Sequence, residues 1–223
     1  MKRCQCCFSE NLLKEKYCKC CGKNLNEEPK EVYHLKPGTI LKEKYYIGEV
    51  VGYGGFGVVY KAYDLILNQI IAIKEYYPTM YLVRNEGSNE VHIFDSKNES
   101  VFMRGKEGFL TEARNIAKYI KHPNIVHIFD YFEENKTAYF VMEYLEGFTL
   151  RECNQIAQKN GLVVDVNSAV KIAVKILDVL AVVHKDGIIH RDIKPANICI
   201  LKDGTIKLFD FGAAKFFDDD NDK

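Results

Sequence analysis

Cys4, Cys7, Cys18 and Cys21 form two CxxC pairs with ten residues between them. Two such pairs can supply four thiolates to one tetrahedral Zn(II), filling every position of a structural site. Gly22, just after the second pair, suits a tight knuckle. Cys6 and Cys20 duplicate the pattern and leave the ligand choice open, and a redox dithiol is the competing reading. Six of the eight cysteines crowd into residues 4 to 21, and in a reducing compartment such clustering favours metal over disulfide. A second group is Gly52, Gly54, Gly55 and Gly57 in GYGGFGVVY. Backbone N–H groups there can meet an anion with no side chain in the way. A third is Lys74 in IIAIKEYYP, a lysine beside the small Ala72 on a half-buried strand, which requires an anionic partner.

These residues need elements to hold them. YYIGEVV and GVVYKAY flank the glycines with β-branched and aromatic residues, which predicts strand, glycine loop, strand. A dinucleotide-binding GxGxxG would open a helix instead, and GVVYKAY makes a poor one. The stretch 107–121, EGFLTEARNIAKYIK, predicts an amphipathic helix whose stripe is Phe109, Leu110, Ala113, Ile116, Ala117 and Ile120. Glu112 lies within that stripe, where a carboxylate needs a cation; Lys74 is the natural candidate, and a snorkelling glutamate is the alternative. NICIL and TIKLF, turned by Asp203-Gly204, predict a two-residue hairpin. Residues 1–26 are too few to build a core without a staple, so metal binding and folding should be one event. NEEPKEVYHLKPG follows, charged and with two prolines, and reads as a linker over 27–38.

With 223 residues and 47% hydrophobic content the chain can bury a sizeable core. Lys plus Arg and Asp plus Glu both total 31, which offers nothing to nucleic acid or an anionic membrane. No apolar leader opens the sequence and no stretch is long enough to span a bilayer, so a cytoplasmic protein is expected.

HRDIKPAN at 190–197 and DFG at 210–212 complete the set in order, and with them the chain resembles the protein kinase family from Gly52 to Gly212. The resemblance implies an α+β, protein-kinase-like bilobal fold: an antiparallel N-lobe sheet over 39–145 and a mainly α C-lobe, preceded by a zinc ribbon. It also implies roles. Gly52, Gly54 and Gly57 would cover the ATP phosphates, and Lys74, paired to Glu112, would hold the α and β phosphates. Asp192 resembles the catalytic base, and Lys194 the lysine that Ser/Thr kinases set against the transferred phosphoryl group. Asn197 and Asp210 would hold Mg(II). Val59, Ala72 and Cys199 would sandwich adenine, with Met142 at the back of the pocket and Glu143 to Leu145 offering backbone groups. LKPGTIL, IKEYYP, FLTEARNIAKYIKHPNIV, TAYFVMEYLEG and DFGAAK are similar to the zinc-ribbon Ser/Thr kinases of bacteria.

Two departures from the family pattern stand out. Lys74 and Glu112 are 38 residues apart, about twice the usual gap, and EVHIFDSKNESVFM within that gap predicts an inserted hairpin near 88–104. After DFG the chain runs AAKFFDDDNDK with no APE motif, so residues 146–223 read as a truncated C-lobe. The helix expected over 168–184, SAVKIAVKILDVLAVVH, is apolar nearly all round and asks for neighbours on several sides. The expected function is therefore an ATP-dependent Ser/Thr protein kinase acting on protein hydroxyls. The alternative is a catalytically impaired ATP-binding or regulatory fragment, with a protein partner covering the incomplete C-lobe.

Overall fold

The computed structural model describes residues 1–55 and 57–212 and the backbone of 215–216. The chain divides into two compact units, residues 1–113 with 128–144, and residues 114–127 with 145–223. Expectations about the stretch after Gly212 otherwise lie outside the described residues.

The first unit opens with two short strands, β1 (Lys2–Arg3) and β2 (Glu10–Asn11), around the cysteine pairs. Then come β3 (Ile40–Leu41), β4 (Tyr45–Gly54), β5 (Gly57–Asp64) and β6 (Gln69–Tyr76). A small hairpin follows, β7 (Leu82–Arg84) with β8 (Val91–Ile93), and after it helix α1 (Glu99–Ala117). β9 (Ile128–Glu134) and β10 (Thr137–Glu143) complete an antiparallel six-stranded sheet of order β3-β4-β5-β6-β10-β9. β5 alternates half-buried and buried positions without a break, the period-2 signature its sequence carries.

Register decides what each face presents. Val59 sits opposite Lys74, and Lys74 opposite Phe140; Lys61 sits opposite Ala72, and Ala72 opposite Met142. Val59, Ala72, Lys74 and Met142 therefore share one face. Tyr60, Ile73, Glu75 and Tyr139 share the other, and all four are sealed from solvent. Glu75 is fully buried there, paired with Arg84 and accepting hydrogen bonds from the Tyr60 and Tyr139 hydroxyls at 2.8 Å each.

The expected linker is not a linker. Within 27–38, His34 and Leu35 are buried, the Leu35 N–H donates to the Tyr60 hydroxyl at 3.0 Å, and the Tyr33 carbonyl accepts from the Arg84 guanidinium. Tyr33 stacks on Tyr77 with ring centroids 5.0 Å apart. The trio Tyr33-His34-Leu35 straps the sheet, and the charges around it face water.

The inserted hairpin also lies earlier than expected. Its strands are 82–84 and 91–93, turned with Gly87 at φ +79°, whereas SVFM belongs to the start of α1. Phe102 and Phe109 flank the Tyr76 ring at 5.5 Å each, and the Tyr76 hydroxyl packs where a side chain on Gly105 would stand. Packing against Tyr76 overrides the strand-like apolar run of that stretch. α1 thus begins eight residues before the expected 107 and ends at Ala117. Beyond that point the helical projection fails: Ile120 is exposed, and Tyr119 takes the buried place, donating to Asp186 at 2.7 Å.

In the second unit β11 (Gly147–Thr149) leads into α2 (Leu150–Lys159), capped by Thr149 with Glu152 in a reciprocal capping box. α3 (Val166–Lys185) is capped by Asp165. β12 (Ile188–Ile189) pairs with β15 (Lys215–Phe216), and β13 (Ile198–Leu201) pairs with β11 and with β14 (Ile206–Leu208). The β13–β14 turn holds three residues rather than two. Gly204, at φ +84°, donates to Leu201 O, and Leu201 N–H donates to Thr205 O, a type I turn closed by a left-handed glycine. Ile176, Val179 and Val183 form the buried stripe of α3, while Val166, Val170, Val174 and Leu177 are exposed. No helix among the described residues is long and apolar enough to cross a membrane.

Candidate active site

The first unit places the glycines at the end of the β4–β5 hairpin, where Gly54 pairs with Gly57. An alanine Cβ at Gly57 would stand 2.5 Å from Glu75 O, so close packing of β5 on β6 requires that glycine. Gly52, Gly54 and Gly55 are different. A Cβ there would meet nothing within 4 Å, and none of the three has a positive φ. Neither packing nor backbone conformation requires a glycine at these three positions, which leaves their backbone N–H groups approachable. Gly52→Ala and Gly54→Ala should therefore keep the wild-type melting temperature yet bind nucleotide more weakly. Gly57→Ala should lower the melting temperature. Thermal melts alongside titrations of a fluorescent ADP check both, and a Gly52→Ala chain of unchanged affinity would remove the argument.

Lys74 projects from the same face. Its Nζ lies 3.8 Å from Glu112 Oε1 of α1, an ion pair rather than a tight hydrogen bond. The Phe140 and Phe109 ring centroids lie 5.3 and 5.8 Å from that nitrogen. Aromatic walls thin the solvent around the pair and strengthen its field. Val59 and Met142 are half-buried beside it, Ala72 is buried, and Glu143 sits opposite Ile71. The Leu145 carbonyl, in the second unit, is taken by the Gly147 N–H at 3.1 Å.

The second unit gathers the remaining residues. Lys194 Nζ donates to Asp192 Oδ2 at 2.6 Å, and Asn197 Nδ2 donates to both Asp192 O and Oδ2 at 2.9 Å. The Lys194 ammonium, together with the Asn197 amide, holds the Asp192 carboxyl below its usual range, so it stands ionised and acceptor-only at neutral pH. Asn197 is buried and its carbonyl accepts from Phe209 N–H at 3.1 Å, which ties the HRD segment to the strand end before Asp210. Cys199 is buried on β13.

His190 was not singled out from sequence, yet it supports this cluster. It is buried, contacts the Phe211 ring at 4.4 Å, and accepts at Nδ1 from the Asp192 N–H at 3.3 Å. Burial lowers its pKa and keeps the ring neutral, as acceptance at Nδ1 requires. Arg191 and Asp210 adopt left-handed φ of +64° and +62°. Such backbone costs on the order of 1 kcal/mol or more per residue and persists where the surroundings enforce it, a pattern that clusters at functional sites. With Asn197 Nδ2 committed to Asp192, the ligand that Asn197 offers is Oδ1. That oxygen and the Asp210 carboxylate are the hard donors Mg(II) takes.

At the N-terminus the Sγ atoms of Cys4, Cys7, Cys18 and Cys21 all lie within 4.8 Å of one another, with Cys4–Cys21 at 3.6 Å and Cys7–Cys18 at 3.5 Å. A tetrahedron with Zn–S bonds of about 2.3 Å has edges of roughly 3.8 Å, so the donor set fits the ion. Cys6 and Cys20 stand outside this group. Burial pushes the Cys4 thiol up to about 12. Although burial opposes it, hydrogen bonding from Ser9 and from backbone amides pulls Cys18 down to about 5. Four thiolates held together need a cation.

Comparison with known proteins identifies the family. The protein kinase domain model matches residues 45–223. Serine/threonine-protein kinase PrkC of Bacillus subtilis is 39% identical over 177 residues, 79% of this chain and 24% of that protein. A probable serine/threonine-protein kinase of Clostridium perfringens is 37% identical over 181 residues, 81% of this chain and 23% of that protein. The solved structure "PpkA-294 apo form" superposes with a TM-score of 0.74 at 32% identity, covering 81% of this chain and 62% of the other. The chain belongs to the protein kinase family. It spans about a quarter of the length of the curated relatives it matches.

Proposed function

We propose that this chain carries the nucleotide-binding and phosphotransfer residues of an ATP-dependent Ser/Thr protein kinase that phosphorylates protein hydroxyls. The observation that carries the reading is the Asp192–Lys194–Asn197 cluster, an ionised, hydrogen-bonded carboxylate beside an ammonium. Asp192 orients the substrate hydroxyl and accepts its proton. Lys194 then faces the charge that grows on the transferred group. Gly52, Gly54 and Gly55 leave their backbone open to phosphate, and Lys74, steadied by Glu112, adds a fixed positive charge. Mg(II) bound by Asn197 and Asp210 would neutralise charge between the β and γ phosphates. Cys4, Cys7, Cys18 and Cys21 hold a structural Zn(II).

The exposed residues Val166, Val170, Val174 and Leu177 of α3 carry a second element of the proposal. That face is a docking surface for a protein partner. Mixing the chain with Mg-ATP and a basic protein should give phosphate incorporation on Ser and Thr. Asp192→Asn should reduce it by about 10²–10⁴-fold, the range for loss of a general base. Equal incorporation by wild type and variant would reject the kinase reading.

A further inference from the structure

The cysteine knuckle does not stand apart from the sheet. Gln5, between the first two cysteines of the cluster, accepts the Glu49 N–H at 3.0 Å through its carbonyl. Glu49 lies where the β4–β5 register shifts, between Ile47 and Val50. Gly48 makes the approach possible, since a Cβ there would stand 2.3 Å from Gln5 O and 2.8 Å from the Phe8 ring. Phe8, one residue past Cys7 and at φ +59°, is buried; it stacks on Tyr63 at 5.4 Å and meets Tyr46 edge-on at 6.2 Å. Lys23, just after the second cysteine pair, bridges to Glu49 at 3.2 Å. Every one of these contacts lands on β4 or β5, the two strands that end in the glycines.

The sheet gives that hairpin little other support on one side. β4 pairs with β3 at Tyr45 and Tyr46, and Ile47 adds backbone bonds to Thr39 and Gly38; from Gly48 to Gly54 it has β5 on one edge and, among the described residues, no strand on the other. A bulged edge strand ending in glycines is the part of a sheet least able to hold its own register. The knuckle supplies the missing edge at Glu49 and an aromatic clamp at Phe8.

We infer that Phe8 and Gly48 are positioning residues for nucleotide binding: through them the four-cysteine knuckle holds β4–β5 in the register that presents Gly52, Gly54 and Gly55. This rests on the reading of the cluster as a Zn(II) site and of the glycines as a phosphate cover. Loss of the metal unfolds residues 1–26, withdraws Phe8 from Tyr63 and frees the Glu49 N–H. Nucleotide affinity then falls although no nucleotide-contacting residue has changed.

The test uses the full chain as wild type, as chelated and zinc-reloaded wild type, and as Phe8→Ala, Phe8→Tyr and Tyr63→Ala. Three quantities are read: zinc per chain, the Kd for N-methylanthraniloyl-ADP with Mg(II), and amide hydrogen exchange over 45–64 against 128–143. Phe8→Ala and Tyr63→Ala should retain zinc. If the competent hairpin falls to about a tenth of the population, the apparent Kd rises about tenfold. Exchange should speed up over 45–64 and stay unchanged over 128–143, a split that general destabilisation would not give. Phe8→Tyr, which extends the ring tip that meets Gly48, should raise the Kd as Phe8→Ala does, and chelation should reproduce the Phe8→Ala phenotype until zinc is returned. Tyr63→Ala alters the sheet side of the contact and so decides the matter even if Phe8→Ala loses its zinc. Zinc-loaded variants with wild-type Kd and wild-type exchange would overturn the coupling and leave the zinc site standing. A wild-type chain that purifies without zinc and gains none on addition would overturn it through the metal reading. A zinc-loaded wild type that binds no nucleotide analogue would overturn it through the phosphate reading.

Discussion

Arg84→Met should destabilise the first unit by about 3–5 kcal/mol, the cost of leaving a buried charge without its partner. Glu75 is fully enclosed by the sheet, and Arg84 reaches it from the β7–β8 hairpin while also donating to Asn89 O at 3.0 Å and to Tyr33 O. The Tyr60 and Tyr139 hydroxyls satisfy hydrogen bonds to the carboxylate but bring no charge. Methionine fills much of the volume and supplies none of the donors. Glu75 is then left buried among neutral groups, and two carbonyls lose their donors. Strap and hairpin should loosen together, because Arg84 is the group common to both. Chemical unfolding followed by far-UV circular dichroism gives the size of the effect, and faster hydrogen exchange at 33–35 and 82–93 gives its location. Removing both charges, as Glu75→Leu with Arg84→Met, should cost well under the sum of the single changes, since no unpaired ion remains. An Arg84→Met protein within about 1 kcal/mol of wild type, the scale of a surface ion pair, would show that water reaches Glu75.

This network marks the boundary of what the sequence discloses. Alternation in IIAIKEYYP places Ala72 and Lys74 on a common face because strand period is a local property, whereas Val59 joins them through the register of β5 on β6. The resemblance of HRDIKPAN and DFG to the protein kinase family is what names Asp192, Asn197 and Asp210. Glu75 is different: beside Lys74 it reads as an ordinary strand charge, and only the folded sheet reveals that Arg84, Tyr60 and Tyr139 converge on it. Tyr33-His34-Leu35 is hidden by its charged neighbours, although an aromatic and a leucine two positions apart in a proline-bounded stretch are a faint signal of docking. In α1 the local pattern misleads, since the short apolar run VFM in ESVFMRGKEG reads like a strand and the stretch carries two glycines. Its helical state depends on Tyr76, which is 23 residues before Glu99 and invisible to any short window. The contact of Gln5 and Phe8 with Gly48 and Tyr63 is likewise tertiary. Its only trace in the sequence is a glycine in an otherwise ordinary strand.

Lys74→Met is the change expected to cost the most function for the least structure. Methionine keeps the length and apolar stem of lysine and removes the ammonium, so contacts with the Phe140 and Phe109 rings survive. The charge lost is one that solvent cannot easily replace, because Lys74 and Glu112 are 18% and 10% exposed. Loss of a preorganised group that faces developing charge typically costs about 10²–10³-fold in turnover. Phosphotransfer should fall by that order, with nucleotide affinity falling alongside. Stability should drop by only about 1–3 kcal/mol, the penalty for a carboxylate that has lost a partner. Glu112→Gln provides the control: it relaxes the hold on Lys74 without removing its charge, so turnover should fall less than in Lys74→Met. Added to Lys74→Met, the same change should restore stability by removing the carboxylate charge that Lys74 balanced, while leaving turnover at the Lys74→Met level. That divergence, recovery of the melting temperature without recovery of phosphotransfer, separates a phosphate-facing lysine from one whose work is only to neutralise Glu112. Recovery of both together would assign Lys74 to the fold alone.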